Sequence, residues 1–138
     1  MELVKPSTQL EQPYLSALKE AQEEGGETTM KSPGSNQSFE EFIQELNDES
    51  EGKNLPEGHV PSTTFWIVDD DIVVGRIRIR HKLNDYLEKF GGHIGCYICP
   101  SARRKGYGTK ALIKVLDYAK EIDLHRVLIT CYEDNIGS

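Results

Sequence analysis

The sequence predicts an α/β fold on three observations. The hydrophobic period changes at Ser62, two β-rich runs flank Asp69-Asp70-Asp71, and a strand–turn–helix–strand order runs from His93 to Tyr132. With 138 residues, one domain spanning 1–138 is the expectation, large enough to bury one core.

In chain order, Glu2-Leu3-Val4 predicts a short first strand. Gln12-Pro13-Tyr14-Leu15 opens a helix, because Pro13 suits a first turn whose amides are unpaired anyway, and Gly25-Gly26 suit its end. Tyr14, Leu15, Leu18 and Ala21 share one face of it. Residues 27–37 read as a loop. Ser38-Phe39-Glu40-Glu41 then has the form of a capping box and predicts a second helix over about 39–49, with Phe42, Ile43 and Leu46 inward. The polar stretch 47–61, with Pro56, Gly58 and Pro61, reads as a long loop beside whatever site the fold builds.

Thr63–Val68 and Ile72–Arg80 form a hairpin. In its second strand Arg76, Arg78 and Arg80 alternate with Ile77 and Ile79, which predicts a half-exposed strand; an arginine-lined substrate groove is the alternative. Residues 81–90 predict a turn or short helix closed by Gly91-Gly92. His93–Ile98 is a strand ending at Cys99-Pro100. After the basic glycine turn, Leu112, Val115, Leu116, Ala119 and Ile122 mark a helical stripe, and Val127–Tyr132 a buried strand, completing one βαβ unit.

Charge and composition exclude several classes. A net charge of -7 disfavours a general nucleic-acid binder. No run approaches the roughly 20 apolar residues of a membrane span. Residues 1–10 lack the basic start and apolar core of a secretory signal, and the three cysteines are an odd number, so a reducing cytoplasm is expected. Cys96-x-x-Cys99 suggests redox or zinc chemistry only weakly. Residues three apart in a strand face opposite ways and no second such pair exists, so a site built from His93, Cys96 or Cys99, and Cys131 is set aside and no metal is expected.

Against this acidic background, Arg103, Arg104, Lys105, Lys110 and Lys114 fall within twelve residues, a concentration suited to one small polyanion. Gly106-Tyr107-Gly108-Thr109-Lys110-Ala111 satisfies the letter of the dinucleotide pattern G-x-G-x-x-A. Pro100 to Lys105, however, separate it from its strand, and no acid stands about 20 residues on as that fold requires. One residue between the glycines excludes the P-loop. A helix starting near Gly108 still presents unpaired amides and a partial positive charge, a fit for pyrophosphate.

Arg103-x-x-Gly106-x-Gly108, after a strand and before an amphipathic helix, resembles the acetyl-coenzyme-A signature [Q/R]-x-x-G-x-[G/A] of the GNAT family of N-acetyltransferases. The wider stretch GGHIGCYICPSARRKGYGTKAL resembles a poorly characterised bacterial branch of that family. The resemblance implies a mixed, mainly antiparallel central sheet flanked by helices. It also implies acetyl-CoA as co-substrate and a small-molecule or peptide amine as acceptor, with no nucleic acid and no membrane as partner. In such proteins backbone at the end of the strand before the signature, here Ile98 and Cys99, pairs with the pantetheine arm. Amides over Arg104, Lys105, Gly106, Tyr107, Gly108 and Thr109 hold the pyrophosphate. Arg103 matches the leading Gln/Arg, and Asn135 a position that often lies along the cofactor.

The family reaction is attack of an amine on the acetyl thioester. A lysine-like amine has a pKa of about 10.4, so a base or a desolvated pocket is needed. A backbone N–H near Cys99 is an expected oxyanion donor, while Glu133 and His93 are merely near. The family's further helix, which often carries a tyrosine acid, and its closing strand pair have no counterpart after Asn135. The expectation is therefore a C-terminally incomplete domain whose uncovered 127–132 edge pairs with another copy. The alternatives are a non-catalytic CoA-binding or interaction module and a dinucleotide-binding protein.

Overall fold

The computed structural model describes residues 1–24, 30–53, 55, 60–81 and 94–122. Among them the elements run β1 (Glu2–Val4), α1 (Glu11–Glu24), α2 (Phe39–Glu51), β2 (Ser62–Asp69), β3 (Ile72–Arg80), β4 (Ile94–Ile98) and α3 (Tyr107–Glu121), with short 3-10 turns at Thr8–Leu10 and Pro100–Ala102. The four strands pair antiparallel in the order β1-β2-β3-β4. The predicted turn or helix at 81–90 beyond His81, Gly91-Gly92, and the strand 127–132 with all that follows lie outside the described residues.

Helices cover both faces of the sheet. On one face α1 and α2 pack Tyr14, Leu18, Ala21, Phe42 and Leu46 against Trp66, Val73, Tyr97 and Cys99. Tyr14 stacks on Trp66 with ring centroids 4.1 Å apart, and its hydroxyl donates to the Lys31 carbonyl at 2.5 Å. On the other face α3 packs Ala111, Val115 and Ala119 against Ile67, Val74, Ile77, Ile79, Ile94 and Ile98. Ala111, absent from the stripe read in the sequence, is fully buried there, whereas Leu112, Leu116 and Ile122 pack at its margin.

Local chemistry sets the boundaries. The Ser38 hydroxyl accepts from the Glu41 amide and the Glu41 carboxylate accepts from the Ser38 amide, each at 3.1 Å, completing the capping box. α2 ends two residues later than expected, at Glu51, where left-handed Gly52 (φ 76°) caps it. At the hairpin tip Asp70 and Asp71 take positive φ, as short acidic side chains tolerate.

The arginine strand needs a correction: β3 is not half open to solvent. Arg76 is buried, Arg78 and Arg80 are half-buried, and the arginine face lies beneath α1 and α2. Arg76 Nη1 donates to the Gly95 carbonyl at 3.3 Å, and Arg78 binds Ser62 Oγ at 3.0 Å and lies 3.6 Å from Glu49. Among the described residues the arginines do not line an open groove either. The space between Lys31, Glu49, Arg76 and Arg78 is about 30 Å3, far below the roughly 300–1,000 Å3 of a small-molecule site. An alternating strand was legible; that α1 and α2 bury its arginines was not.

Candidate functional site

The turn from β4 into α3 brings the basic glycine stretch to one end of the sheet. A bulge in the β2–β3 register at Ile67/Val68 leaves Val74 as the extra residue and interrupts the alternation, so that Val74 shares a core with Ile77, three positions on. Beyond it, Gly75 lies opposite Ile98, so close to β4 that a Cβ would sit 2.2 Å from the Tyr97 carbonyl oxygen. The Cys99 amide donates to the Val74 carbonyl at 2.9 Å, and the Cys99 carbonyl accepts from Ala102 at 2.9 Å. The expected oxyanion donor at Cys99 is thus engaged inside the sheet. By the alternation of an antiparallel ladder, the backbone groups of Tyr97 turn toward β3 and those of Ile98 toward the opposite edge.

Cys96 and Cys99 join opposite cores, as residues three apart in a strand must. Burial pushes the Cys99 thiol up to about 12, so it is a packing residue. Among the described residues no group of three or more His, Cys, Asp or Glu is placed to hold a metal ion.

After the Pro100–Ala102 turn the backbone twice takes a positive φ. Arg103 is extended, Arg104 has φ 65° and Gly106 has φ 81°. A Cβ on Gly106 would meet nothing within 4 Å, so glycine is required by backbone conformation and leaves the space above the turn open. Arg104 adopts the same region with a side chain, a strain of about 1–3 kcal/mol of the kind stored at binding sites. No side chain caps α3, and its first ladder bond is Lys110 N–H to Gly106 C=O at 3.1 Å, which leaves the Tyr107 and Gly108 amides ahead of the ladder. Arg104, Lys105, Thr109 and Lys110 are exposed around them. The result is a cradle of backbone donors, ringed by cations, at the positive end of a 15-residue helix.

Two side chains of the stretch turn away from that cradle. Arg103 lies along α1. Its Nε donates to the Ile98 carbonyl at 3.0 Å, its two Nη groups bind the Glu24 carboxylate, and its guanidinium lies 5.6 Å from the Tyr97 ring centroid. Tyr107 donates its hydroxyl to Asp69 Oδ2 at 2.5 Å, which holds the Asp69 carboxyl below its ordinary range and joins α3 to the hairpin tip. The supporting acids Glu20, Glu24 and Asp69 were missed in the sequence. Glu20 and Glu24 stand four apart, on one helix face, but nothing local tells which distant segment that face meets.

Of the expected site residues, Ile98, Cys99, Arg103, Arg104, Lys105, Gly106, Tyr107, Gly108 and Thr109 fall together in this one turn, whereas Asn135, His93, Cys131 and Glu133 lie outside the described residues. A separate polar cluster sits at the start of β2. There Thr63 Oγ1 lies 2.7 Å from Ser50 Oγ, 2.8 Å from His81 Nε2 and 3.0 Å from Tyr118 Oη, and burial pushes the His81 pKa down.

A family model described as the acetyltransferase (GNAT) family matches residues 17–138. An uncharacterized N-acetyltransferase of Bacillus subtilis (strain 168), YnaD, is 35% identical over 74 residues, covering 51% of this chain and 39% of the relative. The matched part is thus well under half the length of that relative. No solved structure matches significantly.

Proposed function

Because the chain belongs to the acetyltransferase (GNAT) family, we propose that it transfers the acetyl group of acetyl-CoA to a primary amine of a small molecule or peptide, with the β4–α3 turn as its donor site. The observation that supports this most is the uncapped α3 start beneath left-handed Arg104 and Gly106. The residues fit a pyrophosphate. The amides of Arg104 to Thr109 would hold its oxygens, with the Arg104 and Lys105 side chains supplying positive charge. On this reading Ile98 presents backbone to the pantetheine arm. Cys99 shapes the strand end, Arg103 and Tyr107 contribute through the backbone, and Asn135 lies along the cofactor.

When bound, acetyl-CoA supplies an activated acyl group as a thioester. The chain's own task is to fix it. Polar groups already paired at the turn lose little freedom on binding, so the cost of ordering falls mainly on the ligand. Electrostatics favours the anion at this turn although the whole chain carries -7, because charges beyond about 8 Å are largely screened at physiological salt.

Cys96 and Cys99, neither in a disulfide, suit a reducing compartment, and no helix among the described residues is long and apolar enough to cross a membrane. Placement in a bacterial cytoplasm, and a pairing of two copies, belong to the same proposal. Thioester consumption measured over a panel of amines tests the activity. Acetyl transfer to at least one amine is expected. Saturable CoA binding without turnover on any of them would instead support a non-catalytic CoA-binding module.

A further inference from the structure

Segment 101–103 is suspended from one face of α1. Glu20 accepts from the Ser101 amide and the Ser101 hydroxyl, each at 2.7 Å. One helical turn on, Glu24 takes both Nη groups of Arg103 and, at 2.8 Å, the Tyr97 hydroxyl. Arg103 is therefore held at Nε, at both Nη groups and across one face while its backbone leads directly into the strained Arg104. A left-handed non-glycine residue persists only where its surroundings over-determine it. Here the surroundings are the α1 acids on one side and the Tyr107–Asp69 bond on the other.

We infer that Glu24 is a positioning residue for the donor site: by clamping Arg103 it holds Arg104 left-handed and so aims the turn's amides at the pyrophosphate. This rests on the donor-site reading above. It assigns the leading arginine of the signature a use as a strut, with Arg104 and Lys105 facing the ligand. The clamp is also reciprocal. A ligand that stabilises the turn tightens the hold on Arg103, and therefore the seating of the end of α1.

The test uses the full chain with CoA as the probe, in wild type, Glu24→Gln, and Glu24→Gln combined with Arg103→Gln, whose two amides form a neutral pair. Glu24→Gln is expected to weaken CoA binding about tenfold or more and to move the ligand-free amide resonances of 101–108. The double variant is expected to recover at least half of the lost affinity. A bond that only stabilised the fold would lower the thermal midpoint and leave the affinity of the folded protein unchanged. Wild-type affinity in Glu24→Gln, or no recovery in the double variant, overturns the inference alone. Failure of the wild type to bind CoA overturns the donor-site reading and this inference with it.

Discussion

Gly75 on β3 and Tyr97 on β4 approach so closely that a Cβ on the glycine would stand 2.2 Å from the tyrosine carbonyl and 3.0 Å from Cα of Ile98. Both contacts are backbone, so no side-chain rotation relieves them. Gly75→Ala must force the strands apart where β4 runs into the signature turn. We expect a loss of about 2–3 kcal/mol, toward the upper end for overpacking in a closely packed region, read from urea unfolding. A midpoint unchanged from wild type would show that β3 and β4 do not meet in this register.

The two left-handed residues of the turn separate stability from binding. Gly106→Ala places a Cβ at φ 81° in open space, so its cost is conformational alone, about 1–2 kcal/mol. Arg104→Gly relieves the same strain at φ 65° while removing a cation from the cradle. It is expected to leave the unfolding midpoint equal or higher and to weaken CoA binding several-fold. Parallel unfolding and binding curves on the two variants check this opposition.

Acid should weaken the α1 clamp from a definite point downward. Arg103, followed by Tyr97, holds the Glu24 carboxyl below its ordinary value of 4.5. A group whose folded pKa is depressed contributes stability above its unfolded pKa and loses it as pH falls through the folded value. The Arg103 side-chain resonances are therefore expected to be constant at neutral pH and to shift only once the pH falls below the ordinary Glu value of 4.5. In Glu24→Gln that acid limb disappears.

Cys99 should be chemically silent. With its thiol pushed up to about 12, its thiolate fraction at pH 8 is on the order of one in ten thousand, and burial blocks access as well. Iodoacetamide at pH 8, read by peptide mass spectrometry, is expected to label half-buried Cys96 well before Cys99 in the native protein, and both alike in urea.

Much of this arrangement was legible in the residues. Periodicity placed both N-terminal helices, the hairpin and α3, because each repeats an apolar face at its own spacing. The Ser38 capping box predicted a boundary atom for atom. The signature turn was found because glycines and consecutive cations report backbone conformation and charge, both local properties. What escaped is non-local: that the arginines of β3 lie under two helices, that the Cys99 amide is taken by Val74, and that Arg103 reaches Glu24, 79 positions away. Such pairings depend on which faces the chain brings together, and no spacing within one segment encodes them.

The central claim is that the β4–α3 turn holds the pyrophosphate of coenzyme A. A titration of the full chain with CoA, followed by amide resonances, tests it most directly. The account predicts saturable binding with the largest shifts at Arg104 to Thr109 and the smallest in α2. Absence of saturation, or shifts centred away from this turn, would contradict it.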